Sequence, residues 1–244
     1  MITLRRDASR RHLRGGNHDV WLTFLPKERP SQPGDGFGAL IGLDEMRFPP
    51  GEVATRRPHE ETEIITYVYK GALAQEDSTG RSGVVHAGEF QRMIIGSGIR
   101  HREKNASRTD QTHVFRISLH PSEAGLDSAH EQKRFAAAQR HNLLCVVASP
   151  DGRKGSQRIG QNTLVFSSVL DPGHHSIHEL KPERSAWLHV ISGEATMQDL
   201  ILTRGDGVGV TLEPSVSFTA QEHTEVLLVD LGPQTRSRSS GATP

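Results

Sequence analysis

Two short histidine motifs, on either side of a glycine-rich stretch, carry the residues of this chain best suited to chemistry. The first contains Arg57, His59 and Glu63, and the second contains His101 and Glu103. Imidazole and carboxylate groups contributed by separate strands are a common way for a β-barrel to build a metal site. Two imidazoles and one carboxylate, from His59, His101 and Glu103, would form an open site of the non-haem iron type, with positions left for substrate or oxygen.

The spacing within each motif indicates which side chains share a face. Side chains of an extended strand alternate between two faces, so residues two or four apart point the same way. His101 and Glu103 are two apart, and Glu63 is four residues after His59, with Arg57 in the same phase. The sequence therefore predicts that the two motifs lie on facing strands of one barrel and direct these groups into its interior.

Arg57 limits the metal hypothesis. A guanidinium stays protonated and has no lone pair to offer a metal, and its fixed charge repels a divalent cation. Arg57 could instead form a forked salt bridge with Glu63 or Glu103 and so occupy the place of the metal. The residues leave both interpretations open: a metal held by the remaining ligands, or an ion pair in its stead.

Composition favours a turn-rich β protein and disfavours several partner classes. The chain has 244 residues with 24 glycines and 13 prolines, and 29 basic residues balance 29 acidic ones. A duplex-binding protein normally carries a basic surplus, so we expect no direct contact with nucleic acid. Cys145 is the single cysteine of the sequence, and no apolar run approaches the ~20 residues that span a bilayer. We expect a cytoplasmic protein without a membrane partner.

Short apolar runs separated by turn sequences continue along the chain in two similar halves. In the first half the run ends at Tyr69-Lys-Gly71, and in the second it ends at Ile191-Ser-Gly193. This repeat predicts two similar β-barrels. We place the N-terminal barrel at 1–120, a polar, helix-tolerant connector at 121–142, the C-terminal barrel at 143–232 and a disordered tail at 233–244.

Other histidines and arginines have weaker patterns. His174, His175 and His178 form a degenerate copy of the first motif, but no His-x-Glu follows, so we predict a metal-free second barrel. His113 is expected to face solvent or to pack, since it belongs to no paired motif. The arginines that cluster before residue 15, including Arg10, are most simply a solvated face.

The motifs resemble those of a known family. The patterns Gly51-x5-Arg57-x-His59-x3-Glu63 and Gly96-x-Gly98-x2-His101-x3-Asn105 resemble the two cupin motifs, with Arg57 in a histidine position. More narrowly, the chain resembles the pirins, which are two-domain cupins, over nearly residues 1–232. The segments that carry this likeness include Pro58–Val68, Glu76–Gly80, Ala87–Gln91, Glu131–Phe135 and Ala148–Gly152.

The resemblance implies an all-β fold of two cupin-type barrels and a transition metal in the first. Three family ligand positions match, at His59, His101 and Glu103, and the fourth falls on Arg57. Iron is the first expectation for the metal, with nickel, manganese and zinc as alternatives. Bacterial pirins are associated with quercetin 2,3-dioxygenase activity, in which a metal-bound flavonol is deprotonated and attacked by dioxygen. The resemblance then makes Glu103 or Glu63 the base for the substrate hydroxyl, and Arg57 a substrate-binding group for the resulting anion.

Two other functions remain open. The chain could be a degenerate cupin without a metal, because Arg57 stands at a ligand position, that acts as a small-molecule or stress sensor or as a regulatory partner of another protein. An epimerase or isomerase could also use the same cavity without oxygen. The enzymatic hypothesis requires only a flavonol-like small molecule as partner, and we expect a monomer.

Overall fold

The computed structural model describes residues 1–25, 34–56, 62–95, 101–120 and 130–233. Strands dominate these residues, as the sequence predicts. Helical structure in the described chain is confined to one short helix, α1 (Ala137–Arg140), and the 3-10 turns Asp7–Ser9 and Arg153–Gly155. None of the described helices has the length and apolar content needed to cross a membrane.

The strands fall into two groups along the chain. The first group is β1 (Ile2–Arg5), β2 (Arg11–Gly15), β3 (His18–Leu22), β4 (Leu40–Phe48), β5 (Val53–Arg56), β6 (Thr62–Lys70), β7 (Ala72–Asp77), β8 (Ser82–His86), β9 (Glu89–Ile95), β10 (His101–Asn105), β11 (Thr112–Leu119) and β12 (His130–Arg134). The second group is β13 (Cys145–Ser149), β14 (Gln157–Arg158), β15 (Thr163–Leu170), β16 (His175–Glu179), β17 (Ser185–Ser192), β18 (Glu194–Met197), β19 (Leu200–Thr203), β20 (Gly207–Thr211), β21 (Ser215–Ala220) and β22 (Thr224–Leu231).

Each of the two domains contains one large and one small sheet. The first domain has a seven-stranded sheet in the order β12-β9-β6-β11-β4-β3-β2 and a four-stranded sheet in the order β5-β10-β7-β8. The second domain repeats this plan with β1-β20-β17-β22-β15-β13-β14 and β16-β21-β18-β19. The described strands pair antiparallel except β13 with β14. This confirms the predicted all-β architecture of two like domains.

The predicted internal repeat is visible at one glycine in each domain. Gly71 and Gly193 both have a left-handed backbone, with φ of 79° and 83°. A Cβ atom on either would lie 2.6 Å from a threonine hydroxyl, that of Thr112 or Thr224. Glycine is therefore required for both the backbone conformation and the close approach. The two domains form this turn with the same backbone conformation.

The structure differs from the sequence-based boundaries at two places. The connector segment His130–Arg134 is a strand that pairs with β9 and so extends the first domain, and within the described part of the connector, 130–142, the helix is α1. At the other end, β1 pairs with β20 of the second domain, although residues 1–120 were predicted as one barrel. Each domain thus receives an edge strand from outside its predicted bounds. The predicted tail from residue 234 onward lies outside the described residues.

Apolar side chains fill three regions unequally. A large cluster lies between the domains and includes Phe90, Phe115 and Trp187. Fifteen buried apolar residues fill the interior of the second domain, from Leu170 to Leu228. Among the described residues, a smaller cluster of six lies in the first: Met46, Phe48, Val68, Leu73, Val85 and Val114. The second domain therefore has a closely packed apolar interior, whereas the first leaves room for polar groups and a cavity.

Candidate functional site in the first domain

His101 and Glu103 lie on β10, which pairs with β5 on one side and β7 on the other. Burial alternates along this strand. Glu103 is 4% exposed and His101 is partly buried, whereas Arg102 and Lys104 are exposed. The structure therefore directs His101 and Glu103 to the same, interior face, in keeping with their spacing of two.

Asn105 anchors the end of this strand. The two N–H groups of its side-chain amide are shared among three backbone carbonyls, those of Phe48, Pro49 and Asp110, which lie 2.8–2.9 Å from the nitrogen. Its carbonyl oxygen accepts a hydrogen bond from the Thr112 hydroxyl at 2.7 Å. Because Asn105 is fully buried, these bonds fix β10 relative to the turn after β4 and the start of β11. The position of the two interior side chains is set by this anchor.

Glu103 is paired with a buried arginine. The Arg116 Nη2 atom donates to the Glu103 Oε1 atom at 2.5 Å, and the Gln75 amide approaches the same oxygen at 3.4 Å. Arg116 is 1% exposed, and its other terminal nitrogen lies 3.4 Å from the Met46 sulfur. A buried carboxylate is thus held by a cation that cannot lose its proton.

A cavity of about 630 Å³ is lined by His101 and by Gln75, whose amide approaches Glu103. Met93 and Ile94 are the large apolar residues of its described lining, and most of the other lining residues are polar or charged: Gln75, Glu76, Asp77, Arg81, Ser82, His101 and His130. Ligand sites for small molecules commonly have volumes of roughly 300–1,000 Å³, with apolar walls and a few placed polar groups. The cavity therefore has the size of a small-molecule site, with a described lining that is more polar than is common for such sites.

Polar groups from three elements surround the cavity. Asp77 accepts hydrogen bonds from Thr79 and from the backbone N–H of Arg81, which shape the hairpin between β7 and β8. Although burial acts to raise the pKa of Asp77, these hydrogen bonds outweigh it and lower that pKa. His130, on β12, lies 2.6 Å from the Gln91 amide through its Nε2 atom. Strand β12, which the sequence did not predict, thus completes one wall.

The structure places Glu63 elsewhere than predicted. Glu63 is fully buried, and its carboxylate binds the Arg92 guanidinium at 2.8 Å and the backbone N–H of Gly160 at 3.0–3.1 Å. Gly160 belongs to the second domain, so Glu63 points to the domain interface, as Ile65 and Tyr67 do on the same face of β6. The structure thus contradicts the prediction that Glu63 points into the cavity.

Arg57 and His59, the other two residues of the predicted site, lie outside the described residues. Among the residues that the structure does describe, no three His, Cys, Asp or Glu side chains are grouped closely enough to hold a metal. His101 and Glu103 supply one imidazole and one carboxylate. With the imidazole of His59 they would form the donor set of an open transition-metal site, so the residue types fit such a metal with three ligands.

Sequence reasoning missed Arg116, although the chain contains a signal for it. The run from His113 to Leu119 is apolar and alternates, so that Phe115 and Ile117 face the domain interface and Arg116 faces the opposite side. Both faces of β11 are buried because it separates the interface from the first domain's interior. A charged residue within such a strand indicates a buried partner of opposite charge.

A second ionic cluster lies between the domains and corrects one further prediction, the one for Arg10. Glu45 accepts hydrogen bonds from Arg10, His113, Arg47 and Arg204 at 2.8–3.0 Å. Burial acts to raise the pKa of Glu45, but the His113 hydrogen bond and the charge of Arg10 outweigh it and lower that pKa to about 2. Arg10 is thus a buried ion-pair partner rather than part of a solvated face, whereas His113 is buried, packs against Tyr69 and hydrogen-bonds Glu45.

The histidines of the second domain make local contacts. His178 Nε2 lies 2.8 Å from an Asp230 oxygen, and His175 Nδ1 lies 2.9 Å from the Thr219 hydroxyl. His175 is exposed. The absence of a metal from this domain stays a prediction.

Comparisons with known proteins agree with this architecture. The sequence matches the family model described as Pirin over residues 24–118, and the model described as Quercetinase C-terminal cupin domain over residues 146–231. A protein named quercetin 2,3-dioxygenase from Escherichia coli K12 is 36% identical over 233 residues, which are 96% of this chain and all of that relative. A pirin-like protein from Caulobacter vibrioides is 31% identical over 80% of this chain and 84% of its own.

Solved structures give the same result. The crystal structure of YhhW from Escherichia coli is 35% identical, has a TM-score of 0.88, and covers 97% of this chain and 100% of its own. The structure of bacterial pirin YhhW in complex with nickel(II) has a TM-score of 0.87 and covers 96% of this chain and 100% of its own. The likeness spans both domains at an identity that identifies the family as well as the fold. This chain is a bicupin, and it belongs to the pirin family.

Proposed function

We propose that the first domain is a metal-dependent dioxygenase site that acts on a flavonol-like substrate. The observation that carries this proposal is the interior-facing pair of His101 and Glu103, of which His101 lines a cavity of about 630 Å³. Close relatives named quercetin 2,3-dioxygenase support the same reaction class. The apolar interior of the second domain supports its assignment as a structural partner.

His59, His101 and Glu103 would hold the metal. When bound, a transition metal supplies a Lewis acid that lowers the pKa of a substrate hydroxyl and provides open positions for substrate and oxygen. The nickel complex of a bacterial pirin supports a transition metal here, and iron is the metal that we propose. The remaining chemistry belongs to the protein's own side chains.

Glu103 is the proposed base for the substrate hydroxyl. Its carboxylate lies at the cavity side of β10 and is oriented by the Gln75 amide and the Arg116 guanidinium. We no longer propose Glu63 as an alternative base because its oxygens are used by Arg92 and Gly160. Arg57 remains the proposed binding group for the substrate anion, since a guanidinium donates hydrogen bonds to oxyanions without losing its charge.

The cavity lining supports a planar, hydroxyl-bearing substrate. Met93 and Ile94 offer apolar surface to a ring, while His130 and Gln75 offer hydrogen-bonding groups to hydroxyls. We also propose that the protein acts as a monomer in the cytoplasm; its single cysteine, which allows no intrachain disulfide, agrees with a reducing compartment.

Loss of quercetin absorbance under air, with dioxygen uptake recorded in parallel, tests the proposal. Metal-loaded wild-type protein should consume quercetin and dioxygen together, and the H101A variant should lose at least about 100-fold in rate because a ligand is removed. H175A, which removes an exposed histidine of the second domain, is the matched control and should retain the wild-type rate. Equal rates in wild type and H101A would reject this site.

The Glu103–Arg116 pair favours a second candidate, a metal-free cupin that binds a small molecule as a sensor or regulatory protein. A carboxylate already neutralised by a buried guanidinium needs no metal, and Arg57 stands at a ligand position. This candidate predicts quercetin or a related compound bound without turnover, with or without added metal. Binding without dioxygen uptake would therefore replace the first proposal by the second.

A further inference from the structure

We propose that Arg116 is a positioning residue that weakens metal binding in the first domain by holding Glu103 in an internal ion pair. The inference rests on the proposed function because it takes Glu103 as a metal ligand. Its subject is the regulation of that site: the metal and Arg116 compete for the same carboxylate.

Both partners of this ion pair are buried, so depriving either one of the other is costly. The Arg116 side chain is 1% exposed and the Glu103 side chain 6%, and the shortest distance between their charged atoms is 2.5 Å. Neither charge can be exchanged for water without local rearrangement, and a buried charge deprived of its partner carries a large desolvation cost. Glu103 is therefore already stabilised as an anion before a metal arrives.

A change of pH cannot remove the positive charge of Arg116. Arginine stays protonated over the whole range in which proteins are folded, in contrast to lysine or histidine at such a position. A divalent metal that binds Glu103 must share the carboxylate with this charge or displace the guanidinium towards Met46, whose sulfur lies 3.4 Å from the Arg116 Nη1 atom. Both routes reduce the net free energy of metal binding.

The structure also provides a matched control on the same strand. Arg102 lies between His101 and Glu103 in sequence, but it is exposed and points to the opposite face of β10. Arg102 is the sequence neighbour of Glu103, but its charge lies in solvent, which screens its interaction with the carboxylate. A general effect of removing one positive charge would appear in both positions, whereas the proposed competition would appear only at Arg116.

The test is the affinity of purified, metal-stripped protein for nickel(II), measured by isothermal titration calorimetry. The neutral variants R116Q and R116M should bind nickel(II) about 10–100-fold more tightly than wild type, in the range by which neighbours of metal ligands change affinity. R116K, which keeps the charge, and R102Q should stay within about threefold of wild type. The two neutral variants differ in shape, so either one that folds is sufficient.

A second readout is the rise in melting temperature on adding nickel(II), which grows with affinity and reports on folded protein directly. It should be larger in R116Q or R116M than in wild type. Unchanged or weaker nickel(II) affinity in a folded neutral variant, including no binding in either protein, would overturn the inference, as would an equal gain in R102Q. Tighter binding without quercetin turnover would support the inference while rejecting the dioxygenase proposal.

Discussion

The Arg116 guanidinium and the Glu103 carboxylate form an ion pair inside the first domain, with 2.5 Å between the nearest charged atoms. Glu103 lies on the four-stranded sheet and Arg116 on the seven-stranded sheet. The pair thus joins the two sheets around the cavity. It is both part of the candidate site and part of what holds that site together, and these two roles can be separated by measurement.

Removing one partner of this pair should be more destabilising than removing both. We expect E103A to lower the free energy of unfolding by about 3–5 kcal/mol, because it leaves the buried Arg116 charge without its anion. The double variant E103A/R116M should recover at least about 1 kcal/mol of that loss. Urea unfolding of the two single variants, the double variant and wild type measures the coupling; strictly additive losses would contradict a strong ion pair.

Acid should destabilise the protein through His189, a fully buried histidine at the domain interface. Burial and then the charge of Arg10 lower its pKa from 6.5 to about 3. His189 therefore binds a proton near pH 6.5 in the unfolded chain but stays neutral in the folded protein until about pH 3. The free energy of unfolding consequently falls as the pH drops from about 6.5 towards 3. The loss attributable to this group approaches about 1.4 kcal/mol per pH unit below pH 6.

Urea unfolding of wild type and H189L at several pH values between 7.5 and 4.5 checks this. Between pH 7.5 and 4.5 the contribution of Glu45 to stability does not change. Its pKa is lowered to about 2 in the folded protein, so that contribution is lost only as the pH falls below about 4.5. H189L should show the shallower dependence on pH, while the exposed-site control H175L should keep the wild-type slope. Identical slopes in wild type and H189L would contradict the assigned pKa.

The two domains should depend on Glu225 for their association. Glu225 accepts hydrogen bonds from the Tyr67 hydroxyl at 2.5 Å and from Arg140 at 2.7 Å, and Arg140 also reaches Ser167 at 2.9 Å. We expect E225Q to cost about 3 kcal/mol or more because buried Arg140 loses its anion, whereas Y67F should cost about 1–2 kcal/mol for one hydrogen bond. Chemical denaturation ranks the two variants, and a larger loss in Y67F than in E225Q would be the contrary result.

Replacing Arg57 by histidine should restore a lost ligand. We expect R57H to bind nickel(II) about 10–100-fold more tightly than wild type. If the dioxygenase proposal is right, wild type already turns over quercetin, and R57H reaches its maximal rate at lower metal concentration, although that rate is lower because the substrate anion loses the Arg57 guanidinium. Quercetin oxidation measured against metal concentration distinguishes this from the degenerate cupin, in which metal binding and turnover appear in the variant alone.

The strand pattern and the family motifs were enough to predict the all-β bicupin fold, because alternation and turn residues are local signals. The interior direction of His101 and Glu103 could be predicted for the same reason. The position of Glu63 could not, since a strand buried on both faces gives no sign of which face meets the cavity and which meets the second domain. Arg116, 13 residues from Glu103 in sequence, is its partner only through the pairing of distant strands.

The edge strands show a second limit of sequence reasoning. β12 reads as polar and helix-tolerant, but it pairs with β9 because an unpaired sheet edge is available there. Strand β1 fills the equivalent edge of the other domain, about 200 residues away in sequence. Such pairings depend on which backbone groups the rest of the fold leaves unsatisfied, and no local pattern reveals that.

The most direct test of the account is the nickel(II) stoichiometry of wild type, H101A and H175A after saturation and removal of weakly bound ions, determined by elemental analysis. We predict about one ion per chain in wild type and in H175A, and close to none in H101A, because His101 is a ligand and exposed His175 is not. Equal nickel content in wild type and H101A, whether one ion or none, would contradict a metal site in the first domain.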